Sequence, residues 1–402
     1  MLVSIEKGKA FGRFTAPPSK SMAHRALICG ALTEKSVISG ISYSKDILAT
    51  LSCLEALGAK VIKNGDSVEI GGLLEKSEIK NPVFCNESGS TLRFLIPLAL
   101  LKNSECTFTG SERLFSRSLE VYKKIAEKSG IDFVLNRDSL YVKGALKPYD
   151  YRVRGDISSQ FISGLLFALP VLYGNSTITV TESFESKPYV DLTLSLLSYF
   201  GINIETTAFN SFNIKGNQGY KNSQYTVEGD YSNAAFFEAL NFLGSDIEIS
   251  GLKEDSLQGD KIYRKYFNDI INGTDKIDIS DCPDLAPILF SLAAVKGQCE
   301  FTGTARLKIK ESDRATAMAE ELSKFNVNLI IKENSVTVLG GALKPPTAIL
   351  NGHNDHRIVM ALSVLCTLTG GKIEGAEAVS KSFPDFFDRL SAVNIKVKKS
   401  EI

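Results

Sequence analysis

The chain has 402 residues, of which 44% are hydrophobic and 23% charged, ordinary proportions for a folded globular protein, and a length that suits roughly two to three domains. Lysine plus arginine equals aspartate plus glutamate at 46 each, so no global field favours nucleic acid or an acidic membrane, and any anion site must be local. Seven cysteines (29, 53, 85, 106, 282, 299, 366) without a C-x-x-C pair read as buried apolar residues of a reducing compartment, not as disulfides or a zinc cluster. Three histidines give no basis for a metal site, and no apolar run reaches membrane-spanning length, so a cytoplasmic chain is expected.

Taken in chain order, the elements repeat. The first is "TAPPSKSMAHRALICGAL" (15–32), where Lys20, Ser21 and Arg25 gather at the start of an apolar helix. A helix start presents unpaired N–H groups and a positive dipole end, and so suits a phosphate or carboxylate. Six times a loop rich in Ser, Asp, Asn or Gly leads into such an apolar run, anchored at Ser21, Ser88, Ser158, Ser232, Asp284 and Asp355. Each run is followed by a short strand ("SVISG", "CTFTG", "TITVTE", "DIEISG", "CEFTG", "KIEGA"). An amphipathic helix comes next, closing in several units on Gly or Asn, and then a hairpin such as "AKVIKNGDSVEIGG". Each unit therefore reads βαβαββ.

Two irregularities are expected. The interval from Ser232 to Asp284 is short because "DKIDIS" replaces the hairpin, leaving that unit a strand poor. The last unit ends at "VNIKVKKSEI" and lacks its final strand, which the N-terminal "LVSIEKG" could supply. Three units per globule gives two similar α/β domains, 17–227 and 1–16 plus 228–402, with an active site expected in the cleft between them. Pro97 and Pro170 fall inside apolar runs, where helix limits are hard to place.

Charged and polar residues collect at the loops. They are Lys20 and Arg25 in the first unit, Arg117 in the second, and Ser158, Ser159, Gln160 and Ser186 in the third. The fifth supplies Asp284, Lys310, Glu311 and Arg314, and the sixth Arg357 and Lys381. Seven cations around Asp284 and Glu311 come close to balancing two ligands that each carry a phosphate and a carboxylate, a phosphate bringing about −1.5 to −2 at neutral pH.

The segments "PPSKSMAHR", "ESGSTLR", "GDISSQF", "SKPYVDLT", "PDLAP", "IKESDR", "NDHRIVMA" and "KSFPDFF" resemble, in order, the signatures of the EPSP synthase family. The resemblance implies two inside-out α/β domains, each of three βαβαββ repeats, and transfer of the enolpyruvyl group of phosphoenolpyruvate to the 5-hydroxyl of shikimate-3-phosphate. It implies shikimate-3-phosphate binding by Lys20, Ser21, Arg25, Ser158, Ser159, Gln160, Ser186, Asp284 and Lys310. It implies phosphoenolpyruvate binding by Lys20, Gly89, Arg117, Gln160, Arg314, Arg357 and Lys381. Asp284 is the expected acceptor of the hydroxyl proton, with Glu311 and Lys20 as candidates for the proton at carbon 3. No metal, no organic cofactor, no membrane or nucleic-acid partner and a monomeric state are implied. Glu87 and Arg306 stand where the family commonly has Asn, and neither is assigned a role.

The nearest alternative is the sister transferase acting on UDP-N-acetylglucosamine, which usually opens with a Lys-Asn pair and carries a reactive Cys loop; this chain has "SKS" and no Cys around Arg117. A non-catalytic phosphometabolite-binding protein on the same fold is a second alternative, and it would keep the cations while losing acids such as Asp284 and Glu311.

Overall fold

A computed structural model describes residues 1–207 and 210–400. The chain forms two compact units: an inserted unit, Lys20–Glu228, and a terminal unit built from Met1–Ser19 with Gly229 onward. Within the terminal unit the Asp230 N–H donates to the Pro17 carbonyl at 2.8 Å, tying its two chain segments together.

The six apolar runs form six helices: Lys20–Ala31, Gly89–Leu101 and Ser159–Ala168 in the inserted unit, Tyr231–Phe242, Ala286–Lys296 and His356–Thr369 in the terminal one. These helices lack a polar face. "APILFSLAAVK", for example, is buried at every position from Ala286 to Ala294. A helix apolar all round is stable only when surrounded, and these form the centre of each unit's core. The sheets cover them, showing one face to the core and the other to solvent, as in Ser176–Thr181, where buried and half-buried residues alternate.

Each repeat closes on its own sheet. In the third, Asp150–Arg154 pairs in parallel with Ser176–Thr181, a βαβ crossover with an apolar helix between. The hairpin Ile204–Thr207 and Ser211–Ile214 then adds antiparallel, giving the spatial order first, second, fourth, third. The second and fifth repeats have the same order. The first does too, but draws its first strand, Gln224–Thr226, from the far end of the inserted unit, in parallel with Ser36–Ser39.

The N-terminal strand Leu2–Ile5 enters the sixth sheet between Gly371–Glu374 and Val397–Ser400, antiparallel to both, so the segment "LVSIEKG" does complete the last unit. The reading of "DKIDIS" needs correction. Lys276–Asp278 pairs with Cys299–Thr302 and is the first strand of the fifth unit. The fourth unit therefore lacks both hairpin strands, and its sheet is Phe11–Thr15 paired in parallel with Asp246–Ser250.

Both prolines are accommodated. The helix Gly89–Leu101 runs through Pro97, whose missing N–H leaves the carbonyl four residues back, that of Arg93, without its helical donor. The buried Tyr122 hydroxyl donates to that carbonyl at 2.7 Å. Gly164 makes the contact possible, since a Cβ there would lie 2.3 Å from the same hydroxyl. Pro170 falls in a short 3-10 turn, Leu169–Val171, after the third apolar helix has ended. All seven cysteines are free and buried. Among the described residues no helix is long and apolar enough to cross a membrane.

Candidate active site

In the inserted unit the expected residues sit at helix starts. Lys20 opens its helix, and its Nζ lies 2.7 Å from Asp46 Oδ2 in the first turn of the helix Lys45–Ala56. Gly89 opens the second apolar helix, where a Cβ would meet Arg117 Nη1 at 2.7 Å. Only glycine lets the Arg117 guanidinium come this close, which ties two expected residues to one point. Ser158 caps the third apolar helix, its Oγ accepting from the Gln160 N–H at 3.3 Å.

The Gln160 side chain is held from the second repeat. Arg93 Nη1 donates to Gln160 Oε1 at 2.8 Å, and Gln160 Nε2 donates to Ser90 Oγ at 2.9 Å. Arginine can only donate, so it fixes which end of the amide faces it. Ser186 begins the helix Lys187–Tyr199 in the left-handed region, φ 56°, a conformation uncommon for a non-glycine residue.

Arg25 does not simply join Lys20 and Ser21. It is 3% exposed, and its guanidinium turns to the helix Lys187–Tyr199, where Nε donates to Thr193 Oγ1 at 2.9 Å and Nη2 to the Tyr189 carbonyl at 2.9 Å. Nη1 donates back to the Ser21 carbonyl at 2.8 Å. Its acceptors are neutral, and burial pushes its pKa down to about 10.

The terminal unit is organised around Arg314, 1% exposed at the first turn of the helix Arg314–Lys324. Its Nη1 lies 2.7 Å from Asp284 Oδ1, its Nη2 2.9 Å from Glu311 Oε2, and its Nε 2.9 Å from Asp355 Oδ2. Lys310 Nζ meets the same Asp284 oxygen at 3.1 Å, and Arg357 Nη2 lies 3.9 Å from Asp284 Oδ2. Burial alone raises the Asp284 pKa, but Lys310, Arg314 and Arg357 together hold the carboxyl well below the usual carboxylate range. Burial likewise pulls Lys310 down against the opposing pull of Asp284.

Lys381 Nζ donates to the Asn354 carbonyl at 2.6 Å. Arg357 is 4% exposed; its backbone N–H is capped by Asp355 Oδ1 at 2.9 Å, yet its side-chain Nε and Nη1 have no hydrogen-bond partner among the described residues. Arg306, by contrast, donates to the Ser280 carbonyl.

Four groups carry weight here without an expected role: Asp46, Arg93, Asp355 and Asp260. Asp355 was legible only as a helix-start anchor, yet it both caps the His356 helix and grips Arg314. Asp260 is buried, and its carboxyl is pushed up to about 6, first by burial and then by the charge of Asp284, against the pull of Arg357. The signal for Arg93 was a charge inside the otherwise apolar "TLRFLIPLALL".

Comparison with known proteins identifies the family. The sequence pattern of the family described as EPSP synthase (3-phosphoshikimate 1-carboxyvinyltransferase) matches residues 6–390. The chain is 41% identical to the 3-phosphoshikimate 1-carboxyvinyltransferase of Clostridium botulinum (strain Alaska E43 / Type E3), covering 97% of this chain and 96% of that protein. It is 42% identical to the protein of the same name from Clostridium kluyveri, over 96% of each. A solved EPSP synthase from Acinetobacter baumannii shares the fold with a TM-score of 0.79 at 24% identity, over 99% of this chain and 100% of that one. With the family's pattern running through both units and full-length relatives above 40% identity, the chain belongs to the EPSP synthase (3-phosphoshikimate 1-carboxyvinyltransferase) family.

Proposed function

We infer that the chain transfers the enolpyruvyl group of phosphoenolpyruvate to the 5-hydroxyl of shikimate-3-phosphate, releasing inorganic phosphate, in the pathway to chorismate and the aromatic amino acids. Shikimate-3-phosphate is taken by Lys20, Ser21, Arg25, Ser158, Ser159, Gln160, Ser186, Asp284 and Lys310. Phosphoenolpyruvate is taken by Lys20, Gly89, Arg117, Gln160, Arg314, Arg357 and Lys381. The observation that carries the anion assignment is Arg357, a buried guanidinium with two nitrogens lacking hydrogen-bond partners. Leaving such donors unmade is costly, and a carboxylate or phosphate is the chemistry that satisfies the fork.

The reaction is an addition followed by an elimination. The 5-hydroxyl attacks carbon 2 of phosphoenolpyruvate while carbon 3 gains a proton; the tetrahedral adduct then loses phosphate and a carbon 3 proton. Asp284 accepts the hydroxyl proton. Its three cationic neighbours make it a weak base in the free chain. Each anion that docks on those cations takes back part of the charge that depresses it, so basicity rises as the substrates arrive. Glu311, which Arg314 holds, and Lys20, which Asp46 holds, are the candidates for moving the carbon 3 proton. Arg314 itself is engaged by three carboxylates, and we assign it a double part, framing Asp284 and Glu311 as well as meeting phosphoenolpyruvate. The chain works as a cytoplasmic monomer on these two small molecules.

Arg357→Gln tests the assignment. It removes the charge and keeps the stem, so kcat/KM for phosphoenolpyruvate is expected to fall by about 10²-fold or more, from losing two charge-assisted bonds. Thermal stability of the free chain should fall as well, because the Arg357 charge helps hold Asp284 ionised and opposes the rise of the Asp260 pKa, so the kinetics are compared below the variant's melting temperature. Unchanged kcat/KM for phosphoenolpyruvate would contradict the assignment.

A further inference from the structure

His353 has no part in the assignments above, yet it lies at the turn that leads into Arg357 and whose Asn354 carbonyl receives Lys381. The chain passes through His353 and Asn354 with φ of 49° and 51°, two successive non-glycine residues in the left-handed region. Such pairs persist only where neighbouring groups over-determine them. Immediately after the turn, Asp355 caps the His356 helix through the Arg357 N–H, and the carbonyl of Asn354 accepts from Lys381 Nζ at 2.6 Å.

One helix grips the turn from the side. Glu321, 1% exposed, lies two turns after Arg314 on the helix Arg314–Lys324. Its Oε1 lies 2.9 Å from His353 Nε2, and its Oε2 accepts the Asn351 N–H at 2.9 Å. Asn351 Oδ1 in turn accepts the His353 N–H at 2.6 Å. Seven residues apart, Arg314 and Glu321 share a helix face, so the helix grips the loop twice: Arg314 holds Asp355 at 2.9 Å and Glu321 holds His353. Glu320, Glu321 and His353 also group as oxygen and nitrogen donors, but the Lys324 ammonium sits on both Glu321 oxygens, at 2.9 and 2.8 Å, where a metal ion would have to bind.

We propose that Glu321 and His353 are positioning residues for phosphoenolpyruvate: their contact sets the left-handed turn that directs the Asn354 carbonyl to Lys381 and seats the cap beneath Arg357. The proposal rests on the assignment of Arg357 and Lys381 to phosphoenolpyruvate. It concerns that substrate alone, because the loop carries none of the residues assigned to shikimate-3-phosphate.

The experiment is steady-state phosphate release by the full chain and by His353→Ala, His353→Gly and His353→Gln, with each substrate varied while the other is saturating. Alanine removes the ring and keeps the strained φ; glycine removes the ring and relieves the strain. Glutamine places an amide nitrogen near the position of Nε2. KM for phosphoenolpyruvate should rise about tenfold in both the Ala and Gly variants, the worth of one hydrogen bond to a charged group, with KM for shikimate-3-phosphate within about twofold of the parent. Glutamine should restore the parent KM to within about threefold. An active parent whose Ala and Gly variants keep the parent KM for phosphoenolpyruvate overturns the proposal. So does an equal rise in both KM values that glutamine does not rescue. A parent that releases no phosphate with shikimate-3-phosphate overturns the functional reading, and the proposal with it.

Discussion

Asp284, half-buried, and Asp260, buried, are two carboxyl groups of one unit that their surroundings push in opposite directions. Asp284 sits among Lys310, Arg314 and Arg357, which hold it ionised against burial. Its folded pKa lies below the unfolded value of roughly 4, so the stability it contributes is complete above that pH and is lost as pH falls through the folded pKa. Asp284→Asn removes the proposed base and leaves those cations with one negative partner fewer. Turnover should fall by about 10²–10⁴, the usual worth of a positioned base. The melting temperature should fall as well, and added inorganic phosphate should raise it more in the variant than in the parent. Turnover within a few-fold of the parent would show that Asp284 is not the base.

Asp260 behaves oppositely. Its folded pKa, pushed up to about 6, lies above the unfolded value, so ionising it disfavours the fold as pH rises from roughly 4 to 6 and beyond. Asp260→Asn escapes that loss and should gain on the parent by on the order of 1–3 kcal/mol between pH 4 and pH 8. Urea unfolding of both proteins at the two pH values measures the gap. A gap that moves in the parent's favour with rising pH would contradict the placement of Asp260 beside Asp284.

At the scale of elements, the inner helix Gly89–Leu101 keeps its proline because the second helix of its own repeat, Glu120–Ser129, supplies the missing donor. Tyr122→Phe should destabilise the chain by about 1–2 kcal/mol, because the buried Arg93 carbonyl loses the hydroxyl that serves it. In a Pro97→Ala background the restored N–H can take over that carbonyl, so Tyr122→Phe should cost less there. A double-mutant cycle by denaturant unfolding reads the difference, and a purely additive cycle would separate the tyrosine from the proline. Elements of this kind were legible where their signal is local. The amphipathic helix Glu120–Ser129 ends on Gly130 at φ 66°, as the Gly after it foretold. Phe11–Thr15 was not legible as a strand. It is mostly exposed, shows no alternation, and pairs with residues 235 positions away. "DKIDIS" was legible as a strand but not as the opening of the next repeat, since its partner Cys299–Thr302 lies beyond an intervening helix.

At the scale of the whole molecule, the internal repeat told most of the architecture, because six helices with no polar face require sheets around them whatever their detailed packing. The terminal unit is finished by the first strand of the chain, and the inserted unit's first sheet by its last, so each unit closes on strands from opposite ends of its own sequence. Site residues at helix starts could be read from the loops. Asp46 and Asp260 could not, because a charge flanked by ordinary neighbours looks solvated until tertiary packing buries it, whereas Arg93 left a signal as a charge inside an apolar run. The family assignment and the constellation of Asp284, Glu311, Arg314 and Arg357 meet in one claim, that the chain releases phosphate from phosphoenolpyruvate only at the call of its proper acceptor. The direct measurement is phosphate release by the purified chain with phosphoenolpyruvate and either shikimate-3-phosphate or UDP-N-acetylglucosamine. Release with shikimate-3-phosphate and none above background with the nucleotide sugar is the predicted result; release with the nucleotide sugar alone, or with neither, would contradict it.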